Sequence, residues 1–81
     1  MKIELVRFED GLADFNIDDL TARCSVSDWD LGEFVEGQLL IKPYAWFDMN
    51  DDEVAKPEWF GRKELFELNN VFERDFKKFR G

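Results

Sequence analysis

The sequence predicts an α+β fold: a small antiparallel sheet of three to five strands with one C-terminal amphipathic helix packed on it. Two observations support this prediction. Short segments rich in β-branched and aromatic residues are separated by turn residues over positions 1–50, and apolar residues recur at helical spacing near the C-terminus. Because 81 residues leave room for one hydrophobic core, we expect a single acidic domain over residues 1–81. The sheet should occupy residues 1–50, an acidic loop 48–56, and the helix about 57–80.

The first two strands are predicted on either side of an Asp-Gly turn. Residues 2–8 are β-branched and aromatic and stop at Asp10-Gly11, a pair that favours the positive φ values of hairpin turns. Residues 12–17 are expected to be the return strand, and Asp18-Asp19 should form a second turn.

The next strands are predicted from alternation and from an apolar run. Residues 21–27 alternate between polar and apolar, which makes the lone Cys24 a core residue rather than a reactive thiol. Residues 33–42 are expected to form one further strand, central in the sheet because its end is continuously apolar. Pro43 should interrupt that strand or lie at an edge, since it cannot donate a sheet hydrogen bond.

The C-terminal helix has the clearest pattern in the chain. It should begin at Pro57, which suits a first helical turn, or just past Gly61. Phe66 lies about 100° away from the main apolar stripe, so we expect it to be exposed. The stripe itself should pack on the sheet and comprises Leu65, Leu68, Phe72, Phe76 and Phe79.

Negative charge is concentrated in the first two thirds of the chain. The protein has 19 acidic and 11 basic residues and a net charge of −8, and residues 1–58 hold 15 of the acids and 5 of the bases. Such a surface repels phosphate groups, so we expect no direct contact with nucleic acid or membrane and a partner with a basic protein or ribonucleoprotein surface. The chain shows no signal-peptide pattern and no run of 18 apolar residues, and we expect a cytoplasmic protein.

Most residue patterns that support catalysis or metal binding are missing from the sequence. Histidine is absent, which removes the usual general base and the commonest zinc ligand. The glycines are dispersed and form no phosphate-binding loop. Asp48, Asn50 and Asp52 occupy the first, third and fifth places of a calcium loop, but Glu53 replaces its glycine and Trp59 its final glutamate. We therefore expect no enzyme activity, no cofactor and no metal site.

Aromatic and acidic side chains in predicted loops are the candidate partner-binding residues. Trp29 is the first candidate for an anchor, because two carboxylates flank it and because Trp often dominates binding energy at interfaces. The alternative for any one aromatic side chain is core packing. The candidate set comprises Asp28, Trp29, Asp30, Asp48, Asp51, Asp52, Glu53 and Phe66.

These features lead to two hypotheses about function. The first is a small inhibitor that presents carboxylates to the basic surface of a nucleic-acid-handling complex, as a mimic of phosphates. In size, acidity and absence of a catalytic motif, the chain resembles the inhibitors by which phages block restriction or CRISPR systems; the resemblance is one of profile and implies no individual residues. The second is a non-inhibitory interaction module, such as an accessory or immunity protein, that docks through aromatic residues. A homodimer through the C-terminal helix or an edge strand is one arrangement of this second kind.

Overall fold

The protein has the predicted α+β architecture, with an antiparallel sheet, a smaller second sheet and one C-terminal helix. The computed structural model describes residues 2–27 and 32–79. Its elements are β1 (Ile3–Glu9), β2 (Leu12–Ile17), β3 (Leu20–Ser25), β4 (Gly32–Val35), β5 (Gln38–Ile41), β6 (Pro43–Phe47), β7 (Glu53–Val54) and helix α1 (Arg62–Asp75). The five-stranded sheet has the order β1-β2-β3-β6-β7, and β4 and β5 form the two-stranded sheet.

The first three strands form an antiparallel meander, as predicted. The turn between β1 and β2 has φ values of +54° at Asp10 and +77° at Gly11, a conformation that a glycine permits at low cost. A Cβ atom at Gly11 would also lie only 2.7 Å from the Ser27 Oγ atom. The turn between β2 and β3 has a φ value of +55° at Asp18.

The segment predicted as one central strand over residues 33–42 is a hairpin instead. Within the described part of the chain, β4 and β5 pair with each other alone, and their register encloses a two-residue loop. That loop has φ values of +49° at Glu36 and +80° at Gly37. The prediction was wrong because Glu is an uncommon first residue for such a turn, whereas Asn and Asp are common. The Leu39 side chain, placed at a central position by the sequence, is 38% exposed.

Pro43 marks the start of β6, which leaves the hairpin and joins β3. A proline is tolerated at the first residue of a strand, where the missing N–H disturbs the sheet least. β7 adds two residues on the other side of β6, with Phe47 opposite Glu53. Glu53 therefore lies in a strand, and the predicted acidic loop over residues 48–56 is divided by β7.

The helix begins later than Pro57, the first of the two predicted starts. Pro57 lies in a turn, where its carbonyl oxygen accepts the Phe60 N–H at 3.2 Å. α1 begins at Arg62, just past Gly61, which was the second predicted start. The Glu64 Oε1 atom accepts the Gly61 N–H at 2.7 Å, which is one half of a capping box.

The apolar stripe of the helix packs on the sheet over most of its length. Leu65 and Leu68 are buried, and Phe72 and Phe76 are half-buried against the core. Phe79 is 38% exposed, so its predicted core position is wrong. It is the last residue of the 3-10 turn Phe76–Phe79, which contains no buried residue, so the packing of the stripe against the core ends at Phe76. The predicted helix end at residue 80 lies outside the described residues. Nowhere in the described ranges is a helix long and apolar enough for a membrane crossing.

The core lies between the five-stranded sheet, the hairpin and α1. Its largest fully buried side chains are Phe15, Ile17, Cys24 and Leu68. The predicted burial of Cys24 is confirmed, and this burial, with a further contribution from the Asp14 charge, raises the pKa of the thiol. The thiol is therefore protonated at neutral pH and is a poor nucleophile.

Candidate functional site

One end of the sheet gathers acidic side chains from two separate turns. Antiparallel pairing places Thr21 opposite Phe47, so the β2–β3 turn and the loop after β6 lie side by side. Four aspartates line a shallow groove between them, and we call these residues the acidic end: Asp18, Asp19, Asp48 and Asp51. The other lining residues are uncharged and comprise Asn16, Leu20, Thr21 and Met49.

The loop after β6 is ordered by its own first aspartate. The Asp48 Oδ1 atom accepts the N–H groups of Asn50 at 2.8 Å and of Asp52 at 3.0 Å. The main chain also closes the loop, since the Asp48 N–H donates to the Asp52 carbonyl oxygen at 3.0 Å. Asp51 has a φ value of +64°, which aspartate tolerates better than most residues. These bonds therefore hold the loop backbone and the Asp48 carboxylate in one arrangement.

The hydrogen bonds of Asp48 differ from those expected of a calcium-binding loop. One Asp48 carboxylate oxygen already accepts two main-chain N–H groups, whereas a calcium loop directs its first aspartate at the ion. The described residues contain no group of three or more His, Cys, Asp or Glu side chains placed to hold a metal ion.

Part of the predicted partner-binding set lies at or beside the acidic end. Asp48 and Asp51 line its groove, and Asp52 is exposed in the same loop. Glu53 is exposed in β7, where it pairs with Phe47 of β6. These four carboxylates are therefore neighbours along the loop after β6 and the start of β7.

Other members of the predicted set lie elsewhere. Phe66 is half-buried and packs against the core, which corrects the expectation that it protrudes. The reason is that α1 contacts both β1 and β5, so it buries a broader face than the narrow stripe alone. Asp28, Trp29 and Asp30 lie outside the described residues.

Asp18 and Asp19 were expected only to form a turn, and the structure adds them to the acidic end. Adjacent carboxylates in a turn are usually exposed. This exposure was the one local feature of the sequence that could have marked Asp18 and Asp19 as candidate site residues. Their meeting with Asp48 depends on the pairing of β3 with β6. That pairing joins strands that are not consecutive in the chain.

The sheet face opposite the core carries a pair of charges that neutralise each other. The Arg23 Nε atom donates to Asp14 Oδ1 at 2.9 Å, and Nη2 donates to Oδ2 at 3.3 Å. The hydrogen bond to Asp14 raises the pKa of Arg23, and the guanidinium lies 5.0 Å from the centre of the Phe47 ring. Asp14 is thus a structural carboxylate. The aspartates of the acidic end, by contrast, form no ion pair with any described residue.

A second groove lies at the opposite end of the sheet, between the β4–β5 hairpin and the start of α1. Pro43 lines this groove and pairs with Cys24 of β3. It lies at the start of β6, whereas the acidic end follows Phe47 at the end of the same strand. The groove has a volume of about 290 Å³. Three cationic side chains line it, and we call it the cationic groove: Lys42, Lys56 and Arg62. These residues carried no sequence signal, because they are scattered along the chain.

An asparagine holds the wall of the cationic groove against the helix. The Asn69 Oδ1 atom accepts the Ile41 N–H at 2.9 Å, and Nδ2 donates to the carbonyl oxygens of Ile41 and Leu65, both at 2.9 Å. These bonds fix the end of the hairpin to α1. Phe34 of the hairpin also lines the groove and is 72% exposed.

Comparisons with protein-family models, curated proteins and solved structures find no match to this chain. The acidic end and the cationic groove are therefore the features from which a function is inferred. They lie at opposite ends of the sheet and carry opposite charge.

Proposed function

We propose that the protein is a small acidic inhibitor that docks its acidic end on the basic surface of a nucleic-acid-handling complex, as a nucleic-acid mimic. One observation supports this above all: four aspartates from two turns surround one groove, and no described lysine or arginine lines it. A surface suited to phosphates is attracted by such a pattern of negative charge. The partner is a basic protein or ribonucleoprotein, of the kind that restriction and CRISPR systems contain.

The turns suit the acidic end to this role. Asp18 and Asp51 are held at positive φ, and Asp48 is fixed by its own hydrogen bonds, so docking needs little further ordering of the loop. Long-range attraction speeds association and weakens with added salt. Met49 lines the same groove and is 80% exposed, which adds an apolar contact that salt does not screen.

Binding without catalysis is part of the proposal. The chain has no histidine, and burial raises the pKa of the Cys24 thiol. Apart from its carboxylates, the groove of the acidic end is lined by the Thr21 hydroxyl but by no described lysine, cysteine or tyrosine that could act with it. The same negative charge disfavours direct contact with nucleic acid or an anionic membrane.

Neutralising the acidic end without disturbing its turns tests the proposal. Asparagine tolerates positive φ as aspartate does, and it keeps the Oδ1 acceptor on which the loop depends. The substitutions raise the net charge from −8 to −4 and comprise Asp18→Asn, Asp19→Asn, Asp48→Asn and Asp51→Asn.

The matched control reaches the same net charge at exposed positions away from the acidic end. It carries Glu4→Gln, Glu58→Gln, Glu67→Gln and Glu73→Gln. Each immobilised protein is used to capture partners from an extract of the source cells. We expect a basic nucleic-acid-binding protein on the wild type and the control, and at least about tenfold less on the acidic-end variant.

The conditions that elute the captured partner show whether docking is electrostatic. Double-stranded DNA and rising salt should both release the captured partner, because phosphates and ions compete for its basic groups. A partner that all three proteins retain equally, or that neither DNA nor salt releases, would show that the acidic end is not the docking surface.

A second candidate function is a non-inhibitory interaction module that docks through aromatic residues. The observation that favours it is the exposure of Phe34, Tyr44 and Trp59, since exposed aromatic side chains are common anchors of interfaces. A partner that the acidic-end variant retains and that Phe34→Ser loses would favour this function. A homodimer through α1 or the edge strand β1 stays a prediction, which analytical ultracentrifugation would test.

A further inference from the structure

The cationic groove places positive charge beside exposed apolar surface. Lys42 comes from the β5–β6 junction, Lys56 from the segment after β7, and Arg62 from the first position of α1. The apolar wall includes Phe60, which is buried. Phe34 lines the groove with 72% of its surface in contact with solvent. A large ring left exposed next to a small cavity is typical of a contact surface.

Most of the positive charge of this groove is not used within the protein. The Lys42 Nζ atom lies 3.9 Å from Glu33 Oε1, and both side chains are nearly half exposed, so this pair contributes little. Over residues 2–27 and 32–79, neither Lys56 nor Arg62 forms an ion pair. Glu33 also lines the groove, so its three cations exceed its one carboxylate and reverse the local charge in a chain with a net charge of −8. The groove therefore attracts an acidic ligand.

We propose that the cationic groove binds an acidic segment of a partner protein in which carboxylate side chains alternate with large aliphatic ones. The carboxylates pair with Lys56 and Arg62, and an aliphatic side chain packs between Phe34 and the apolar wall. The volume of about 290 Å³ is at the small end of ligand pockets and suits one or two side chains. The site goes beyond the proposed function, because it shares no residue with the acidic end and binds charge of the opposite sign.

An acidic peptide fits this groove better than a nucleic acid or a small anion. A nucleic acid carries a charge at every nucleotide and would extend past three cations over a protein of net charge −8, where repulsion dominates. A small anion would leave the apolar wall and Phe34 without a contact. The peptide uses both the charge and the apolar surface.

The probe is a fluorescein-labelled peptide of about twelve residues with a repeating Glu-Leu-Glu-Ser pattern, and its binding to the full chain is measured by fluorescence anisotropy. Lys56→Glu with Arg62→Glu should weaken binding at least about tenfold. The matched control, Lys63→Glu with Lys77→Glu, makes the same change in net charge at exposed positions outside the groove. It should keep binding within about twofold.

The apolar contact is tested separately. Phe34→Ser should weaken binding several-fold, and a peptide with Ser in place of Leu should bind more weakly to the wild type. Amide chemical shifts in NMR spectra of the wild type should change around Phe34, Lys56 and Phe60 on addition of the peptide. Urea unfolding of each variant shows that it is folded during the binding measurement.

Several results would overturn the inference. Equal weakening by the two double variants would show that overall charge governs binding, and shift changes away from the groove would place the peptide elsewhere. Absence of binding up to about 1 mM peptide would remove the site. Tighter binding of an oligouridylate of equal length to the groove would identify a nucleic-acid site instead.

The peptide site is tested independently of the proposed function. The variant with a neutralised acidic end should bind the peptide at least as well as the wild type, so failure of this inference and failure of the proposed function give different results.

Discussion

The two ends of the sheet are built by different means. At the acidic end, Asp18 and Asp51 adopt positive φ and Asp48 closes its loop with its own carboxylate, so hydrogen bonds among near neighbours set the shape. The cationic groove is assembled from a hairpin, the segment after β7 and the start of α1. It exists only when these elements pack together. The turns fix each half of the acidic end locally and the pairing of β3 with β6 brings the two halves together, whereas the cationic groove requires the hairpin to pack on the helix.

The two ends should therefore respond differently to mutation. Substitutions at exposed turn residues usually change stability by less than about 0.5 kcal/mol, so the acidic end can be altered without loss of the fold. Phe60 and Leu65 line the cationic groove and are also buried in the core. Changes in helix packing should affect the groove before they affect the acidic end.

The largest change in the free energy of unfolding is expected for Phe72, whose ring joins the helix to the sheet. The ring centre of Phe72 lies 5.2 Å from that of Phe8, 6.4 Å from that of Phe15 and 5.4 Å from that of Phe76. Phe72→Ala removes these contacts and should lower the free energy of unfolding by about 3 kcal/mol. This is the low end of the usual range for Phe, because the side chain is half-buried. Urea unfolding followed by tryptophan fluorescence measures the change.

Glu73→Ala, at an exposed neighbour, is the control and should change the free energy of unfolding by less than about 0.5 kcal/mol. Under conditions where Phe72→Ala is still folded, peptide binding at the cationic groove should weaken and partner capture at the acidic end should persist. A loss of less than about 1 kcal/mol would mean that Phe72 is not a core residue.

Local turn residues made the first part of the fold predictable. Asp10-Gly11 and Asp18-Asp19 define the β1–β2–β3 meander, and alternation places Cys24 in the core. The β4–β5 hairpin was not predicted because Glu36-Gly37 lacks the Asn or Asp that usually marks such a turn. The helix start was ambiguous because Pro57 suits a turn as well as a first helical position.

The two charged regions could not be predicted because non-local pairing creates them. The acidic end forms only when β6 pairs with β3 instead of continuing the hairpin. Lys42, Lys56 and Arg62 follow no period along the chain, so their meeting depends on how the hairpin packs on α1. Composition indicated an acidic protein, but it carried no information on where acidic and basic side chains meet.

A smaller change in the free energy of unfolding is expected at Asn69, which connects the hairpin to the helix by hydrogen bonds. Its side chain makes two hydrogen bonds with the Ile41 main chain and one with the Leu65 carbonyl oxygen. Asn69→Ala leaves the Ile41 N–H and carbonyl without these partners and should lower the free energy of unfolding by about 1–2 kcal/mol. Asn70→Ala is the matched control, because it is exposed on the same helix and gains the same helix propensity.

Binding measurements on these two variants separate the ends of the sheet. Asn69→Ala should weaken peptide binding at the cationic groove several-fold, since the hairpin wall is less firmly held, and it should leave partner capture at the acidic end unchanged. Equal effects of Asn69→Ala and Asn70→Ala on urea unfolding would contradict the role assigned to Asn69.

The smallest effect on stability is expected at Asp75, a carboxylate held by ion pairs, which the aspartates of the acidic end do not form with any described residue. Asp75 is buried at the end of α1, and Arg74 Nε and Nη2 donate to its two oxygens at 3.0 and 2.8 Å. The Lys78 Nζ atom lies 3.3 Å from the same carboxylate. The hydrogen bond from Arg74, followed by that from Lys78, lowers the pKa of Asp75 to about 2. These cations also offset the repulsion between a carboxylate and the negative end of the helix dipole.

This pKa predicts a pH dependence of stability with a definite sign. Because the folded-state pKa of Asp75 lies below the unfolded-state value of about 3.9, the unfolded chain takes up the proton first as the pH falls. The contribution of Asp75 is therefore complete above about pH 4 and is lost as the pH falls to about 2. Asp75→Asn removes this step, so its free energy of unfolding in urea should fall less steeply over that interval than that of the wild type. Glu73→Gln, which removes a carboxylate that no described cation pairs with, should keep the wild-type slope. A profile for Asp75→Asn parallel to that of the wild type would mean that the hydrogen bonds and ion pairs of Asp75 do not stabilise the folded state.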